Sequence, residues 1–185
     1  LTRRRQGALA KRRLPEMGSS RTSAAGSKMT ASAGVVAVCV SPGGVPKLPV
    51  PNAELTPTGL VGDGHDHEKH RRLHRAVSIQ DLELLEELKA EGYPVAPGTI
   101  GENLTVRRLH VQALSPGDRL RFEDGPVLEL TEPRKPCFVL DRIHPMLKDA
   151  VAGRCGFLAK VIKAGQLAAG QRVFVEKMRS VSESA

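Results

Sequence analysis

The sequence predicts a mainly β (α+β) fold: a small β-barrel with one long helix and short helical insertions. Three observations carry this. Beyond residue 92 the apolar pattern falls to a period of two over several short runs, as half-buried strands require. One segment, SIQDLELLEELKAE at 78–91, has the spacing of an amphipathic helix. The chain holds four Phe, one Tyr and no Trp, so its core must rest on Val, Leu and Ile, and Val-rich runs favour strands. A length of 185 residues suits one domain that buries its core without disulfide staples.

The elements follow in order. Residues 1–33 are rich in Arg, Ser, Ala and Gly and read as a disordered basic tail. The body, 34–177, opens with the apolar run Val35–Val40, a buried strand. Residues 45–62 carry Pro46, Pro49, Pro51 and Pro57. Proline removes a backbone donor, which leaves edge strands or loops. The helix is expected from Ser78 to Glu91, with a capping box at Ser78 and Asp81, an apolar stripe of Ile79, Leu82, Leu85 and Leu88, and Gly92 as its stop. Strands are expected at Leu104–Val106, at 119–123 and 127–130 about an Asp124-Gly125 turn, at Phe157–Ile162 and at Arg172–Val175. Residues 178–185 form a C-terminal tail.

The net charge of +8 belongs to the tail. Residues 1–33 hold eight Lys or Arg and one Glu; the rest holds twenty Lys or Arg and nineteen Asp or Glu. A nucleic-acid face needs cations clustered on a folded surface, so nucleic acid is not an expected partner of the body. The tail itself reads as a mis-assigned start ahead of Met17 or Met29, a transit peptide, or a basic arm for nucleic acid or a membrane surface. No apolar run reaches 18 residues, so no membrane span is expected. Three cysteines without a CxxC pair argue against a secreted disulfide framework and for a reducing cytoplasm.

Cys137, in PRKPC, is the leading candidate for chemistry. Arg134 and Lys135 precede it, and nearby cations favour a thiolate. Pro136 suits the first residue of a short helix reaching Ile143, whose N-terminus would add to that effect. The plain alternative is a small buried cysteine, the reading that fits Cys39 in VVAVCV better. Cys155, in AGRCG, is expected on an exposed turn. His65, His67, His70 and His74 crowd into GDGHDHEKHRRLHRAV, among Lys69, Arg71, Arg72 and Arg75. That segment reads as a solvated loop, an anion site on a glycine turn, or a metal site. Gly101-Glu102-Asn103 is a turn or a loop presenting Asn to a ligand.

Three segments in order, VGDGHDHEKHRRLHRAVS, APGTIGENLTV and LELTEPRKPCFVLD, resemble the MOSC domain, named for the C-terminal domain of molybdenum cofactor sulfurases. DRLRFEDGPVLELTE and GFLAKVIKAGQLAAGQRVFV resemble its closing strands, so the likeness spans about residues 34–177. The short stand-alone bacterial members are the nearest subgroup; some resemble proteins that detoxify N-hydroxylated purines such as 6-hydroxylaminopurine.

The resemblance implies molybdenum cofactor (molybdopterin) as the ligand, with Cys137 binding molybdenum. Asn103 stands where the family has an Asn before a strand. Lys135, Arg134, Arg75, His65 and Asp63 are the implied cofactor contacts, the basic residues holding the pterin phosphate. The implied activity is reduction of N-hydroxylated bases or amidoximes, small-molecule substrates, with electrons from a separate donor protein, because the chain shows no flavin, haem or Fe–S motif. A non-catalytic carrier of the cofactor, or of persulfide sulfur on Cys137, is the alternative. The aminotransferase-like part of the sulfurases has no counterpart here, so pyridoxal phosphate is not expected.

Overall fold

The computed structural model describes residues 32–64 and 73–178. The readings of the basic tail therefore fall, but for Ser32 and Ala33, outside the described residues. So do those of His65, His67 and His70. Among the described residues the strands are β1 (Gly34–Val40), β2 (Leu48–Val50), β3 (Asn52–Thr56), β4 (Gly59–Leu60), β5 (Val77–Asp81), β6 (Leu104–Arg107), β7 (Arg119–Phe122), β8 (Val127–Pro133), β9 (Phe157–Lys163), β10 (Gly165–Ala168) and β11 (Val173–Glu176). The helices are α1 (Leu82–Ala90) and the single turn α2 (Leu147–Ala150).

Eight strands form one sheet in the order β11-β7-β8-β9-β5-β6-β1-β2, and β10-β3-β4 form a second. Every pairing is antiparallel except β5 with β6. The fold is mainly β with few helices, as expected, but the sheet is not a closed barrel. The reason lies in β1. On one side it pairs with β6, from Gly34 opposite Arg107 to Val38 opposite Leu104. On the other side its start meets the approach to β11 through one bridge, Gly34 to Arg172, with Val35 N–H donating to Gln171 O (2.9 Å) and Val173 N–H to Ala33 O (3.0 Å). From Val38 to Val40 that same edge is taken by β2. A strand edge holds one neighbour at a time, so the sheet curls toward closure at one end and splits at the other.

The long helix is also shorter than expected. Residues 78–81 lie in β5, and only Leu82–Ala90 is helical. All five residues of β5 are buried, since the strand lies between β6 and β9. Two of its polar members are satisfied internally: Ser78 Oγ donates to Asn103 Oδ1 (3.0 Å) and Gln80 Nε2 to Arg154 O (2.8 Å). The supposed capping box does not exist. Asp81 occupies the N-cap position but caps nothing, and its carboxylate accepts from Val111 N–H at 2.6 Å instead. Gly92 does end the helix, at φ 98°.

The sheets close over a core of Val35, Val38, Leu55, Ile79, Leu104, Leu120, Phe122, Leu128 and Leu130. A second cluster joins Leu85 and Leu88 of α1 to Val95, Ile100, Leu140, Leu147, Val151 and Cys155. Burying side chains of this size contributes about 1.5–3 kcal/mol each. The second cluster fixes the loops after β8 and before β6 against each other, and the candidate site lies beside them.

Candidate functional site

A cavity of about 510 Å³ opens where the loop after β1, the turn after β4, the loop before β6 and the segment after β8 converge. Among the described residues five cationic side chains line it: Lys47, Arg75, Arg134, Lys135 and Arg142. Cys137 lies in the same wall and is exposed. Phe138 beside it leaves 66% of its surface open, unlike Phe122 and Phe157, which are buried.

The segment carrying Cys137 is set by its neighbours. The backbone N–H of Arg134 donates to Gly156 O (2.9 Å), and its guanidinium Nη2 donates to Ile100 O (2.5 Å). Gly101 permits this approach. It sits at φ 87°, and a Cβ there would lie 2.6 Å from Val45 Cγ1 and 3.1 Å from Arg134 Nη2. The other guanidinium nitrogen, Nη1, is buried with no hydrogen-bond partner among the described residues. The short helix expected from Pro136 is a 3₁₀ helix over Phe138–Arg142, with Cys137 in extended backbone ahead of it. Five residues of 3₁₀ helix supply no helix-terminus stabilisation comparable to that of an α-helix, so that part of the argument for a thiolate falls away.

The loops after β1, after β4 and before β6 carry a polar network with mostly buried side chains. Asp63, its side chain 1% exposed, pairs with Lys47 Nζ and accepts from Ser41 N–H (3.0 Å) and Asn103 Nδ2 (2.8 Å). Asn103 also donates to Cys39 O (3.2 Å), while its Oδ1 accepts from both the N–H and the hydroxyl of Ser78. The side chain of Asn103 is thus fully engaged with the protein, and its effect on a ligand runs through Asp63 and Lys47. Gly64 welds the turn in place: its N–H donates to Ser41 O (2.7 Å), and a Cβ there would fall 1.9 Å from Pro42 O.

The sequence-derived candidates are therefore largely brought together. Cys137, Arg134, Lys135, Arg75 and Asn103 line the cavity, and Asp63 holds one of its cations. Arg75 is bound through Nε and Nη2 to both oxygens of Glu132, at 2.6 and 3.1 Å, which offsets its charge. His65 lies outside the described residues. Sequence reasoning missed Lys47 and Arg142. Lys47 sits alone between Pro46 and Leu48, with no motif around it. Its adjacency to Asp63 arises only when β1 to β4 fold back. Among the described residues no cluster of three or more His, Cys, Asp or Glu is placed to hold a metal.

The other cysteines divide as burial dictates. Cys39 is in the core, as expected, and burial pushes its thiol up to about 12, with Glu102 adding to the effect. Cys155 is not on an exposed turn: it is 1% exposed, packed in the second cluster, and burial raises its pKa too. Flanking glycine and arginine suggested a surface, but Gly156 is present because a Cβ there would lie 1.9 Å from Ile79 O. Glu102 is wholly buried, accepts from Gly98 N–H (2.7 Å) and Thr105 Oγ1 (2.9 Å), and burial raises its pKa. Among the described residues no helix is long and apolar enough to cross a membrane.

A family model for the MOSC domain matches residues 66–174. A reductase of Gibberella moniliformis is 31% identical over 124 residues, covering 63% of this chain and 22% of that protein. The uncharacterized protein YflK of Bacillus subtilis is 29% identical over 136 residues, covering 69% of this chain and 60% of YflK. The match thus spans about a fifth of the reductase and three fifths of YflK. Among solved structures, YuaD of Bacillus subtilis superposes with a TM-score of 0.70 at 19% identity, over 80% of this chain and 97% of YuaD, a likeness of fold. YiiM of Escherichia coli gives 0.63 at 25% identity, over 80% of this chain and 71% of YiiM. With the family model spanning more than half of its length, and with a mainly β fold like that of these structures, the chain belongs to the MOSC domain family.

Proposed function

We propose that this protein binds molybdenum cofactor in the 510 Å³ cavity and reduces N-hydroxylated bases or amidoximes there, with Cys137 as the metal ligand. One observation carries the reading: an exposed thiol in the wall of a cavity lined, among the described residues, by five cations. The donor set suits that group. A thiolate is the ligand type a soft metal selects, guanidinium and ammonium groups suit a phosphate, and the unpartnered Nη1 of Arg134 is a buried donor without an acceptor. MOSC domains are associated with this cofactor in general, and a relative bears the name reductase.

In this reading Cys137 would hold the metal through Sγ. Arg134, Lys135 and Arg142 would hold the phosphate, with Lys47 supplying further charge. His65 and Arg75 are further candidates for the phosphate, Arg75 after exchange from Glu132. Bound there, the cofactor would supply two-electron redox chemistry. Phe138 offers an apolar surface beside the thiol for a substrate. Electrons come from a separate donor protein. The three unpaired cysteines support a reducing, cytoplasmic setting.

The test is expression with molybdate, followed by measurement of bound molybdenum and of N-reduction for the wild type and Cys137→Ser. Loss of both in the variant is expected. Equal metal content and turnover would remove Cys137 from the mechanism. The exposure of the Cys137 thiol also favours a second reading, a carrier of cofactor or persulfide sulfur. A carrier binds one equivalent and shows no steady-state turnover with an artificial electron donor.

A further inference from the structure

Reduction of an N–OH group consumes protons: R–NH–OH, two electrons and two protons give R–NH2 and water. If the reading above holds, the cavity must hand a proton to the departing oxygen. Most of its lining cannot. The guanidinium groups of Arg75, Arg134 and Arg142 do not release a proton in water. Glu132 is engaged through both oxygens with Arg75, and Cys137 is assigned to the metal. Among the described lining residues two ammonium groups remain, and Lys135 is exposed.

Lys47 differs. Its side chain is only 10% exposed yet lines the cavity. Its backbone is strapped down by N–H donation to Gly98 O (2.9 Å), and its Nζ is fixed by Asp63, itself held by Ser41 and Asn103. We propose that Lys47 is the proton donor of the site and that Asp63 and Asn103 are positioning residues acting through it. The Nζ–H bond breaks as the proton passes to the hydroxyl oxygen. The N–O bond breaks and water leaves. The second proton reaches nitrogen from solvent, and Lys47 is recharged from solvent. The two electrons come from the reduced molybdenum centre of the preceding reading, on which this step rests.

The surroundings set the proton affinity in the needed direction. Burial lowers the Lys47 pKa, as does Arg134 from the segment after β8. Asp63, from the turn after β4, and Cys39, from β1, act to raise it. The net shift is downward, toward the range where an ammonium group is a useful acid.

The test uses the molybdenum-loaded full chain with 6-hydroxylaminopurine and reduced methyl viologen. Lys47→Arg keeps the charge beside Asp63 but cannot give up a proton. Its expected kcat/KM at pH 7 is lower by about 100-fold, with unchanged molybdenum content and with the alkaline fall of the wild-type profile gone. In the cofactor-free wild type, carbon-13 NMR of the lysine side chains should show Lys47 titrating below the exposed lysines. Wild-type rates and an unaltered profile in Lys47→Arg, or Lys47 titrating together with the exposed lysines, would overturn the assignment alone. Absence of turnover by loaded wild type would overturn the assignment together with the reading beneath it.

Discussion

In one group at the cavity Ser41, Lys47, Asp63, Ser78 and Asn103 bond one another; Ser41, Ser78 and Asn103 are buried, and the side chains of Lys47 and Asp63 are only 10% and 1% exposed. In a second group Lys135, Cys137, Phe138 and Arg142 face solvent. Both groups present charge to the same space, but in the first the charge is part of the fold and in the second it is added to the surface. Side chains of the first kind cannot change without a loss of stability. Those of the second can change with ligand alone.

Four variants press on that difference. Asp63→Ala carries the largest expected effect. It strands a mostly buried ammonium and the Asn103 amide, and removing one partner of a buried pair costs about 3–5 kcal/mol; chemical denaturation at pH 7 measures it. Asn103→Ala comes next, leaving the Ser78 hydroxyl and N–H and the Cys39 carbonyl to find other partners, at about 1–3 kcal/mol. A loss under 0.5 kcal/mol for either would show that this wall is not structural.

Asp81 sharpens the contrast, because it is a buried carboxylate with no cation bonded to it and one oxygen unpartnered among the described residues. Burial raises its pKa from 3.8 to about 6, against the hydrogen bond from Val111, and Glu83 adds to the rise. The fold therefore favours the protonated form. Its contribution is best below pH 3.8, declines as pH rises, and is fully lost above about 6. Asp81→Asn should stabilise the protein by about 1–2 kcal/mol at pH 7.5 and flatten the stability profile between pH 4 and 6, read by thermal unfolding across that range. The smallest stability effect belongs to the double change of Lys135 and Arg142 to Ala. Exposed charges contribute within about 0.5 kcal/mol, while binding of inorganic phosphate, followed by calorimetry, should weaken several-fold. Equal phosphate binding would remove those two residues from the anion site.

The sequence was most legible where pattern and environment coincide. The alternation at 119–130 became β7, the Asp124-Gly125 turn and β8. Cys137 was legible from its basic neighbours and its family motif. Strand β5 was not. Its Ser78 and Gln80 are buried polar residues satisfied by Asn103 and by the Arg154 carbonyl, and buried polar positions leave no alternation to read. Ile79 then fitted a helical stripe by accident of spacing. Lys47 was hidden for a related reason: its partner lies sixteen positions away across three strands, and nothing local marks a lysine as part of a network. Open and closed sheets were indistinguishable because the decision rests on which neighbour takes the second edge of β1.

That shared edge also governs the order in which the molecule can be finished. Residues 33–35 are bonded to residues 170–173, and residues 38–40 to residues 48–50. During synthesis β2 is at hand almost as soon as β1 emerges, whereas the partner of the first half of β1, at residues 170–173, follows far later in the chain. Contacts so distant in sequence are slow to form. The first half of this strand must wait, with one edge bare, until that distant segment arrives.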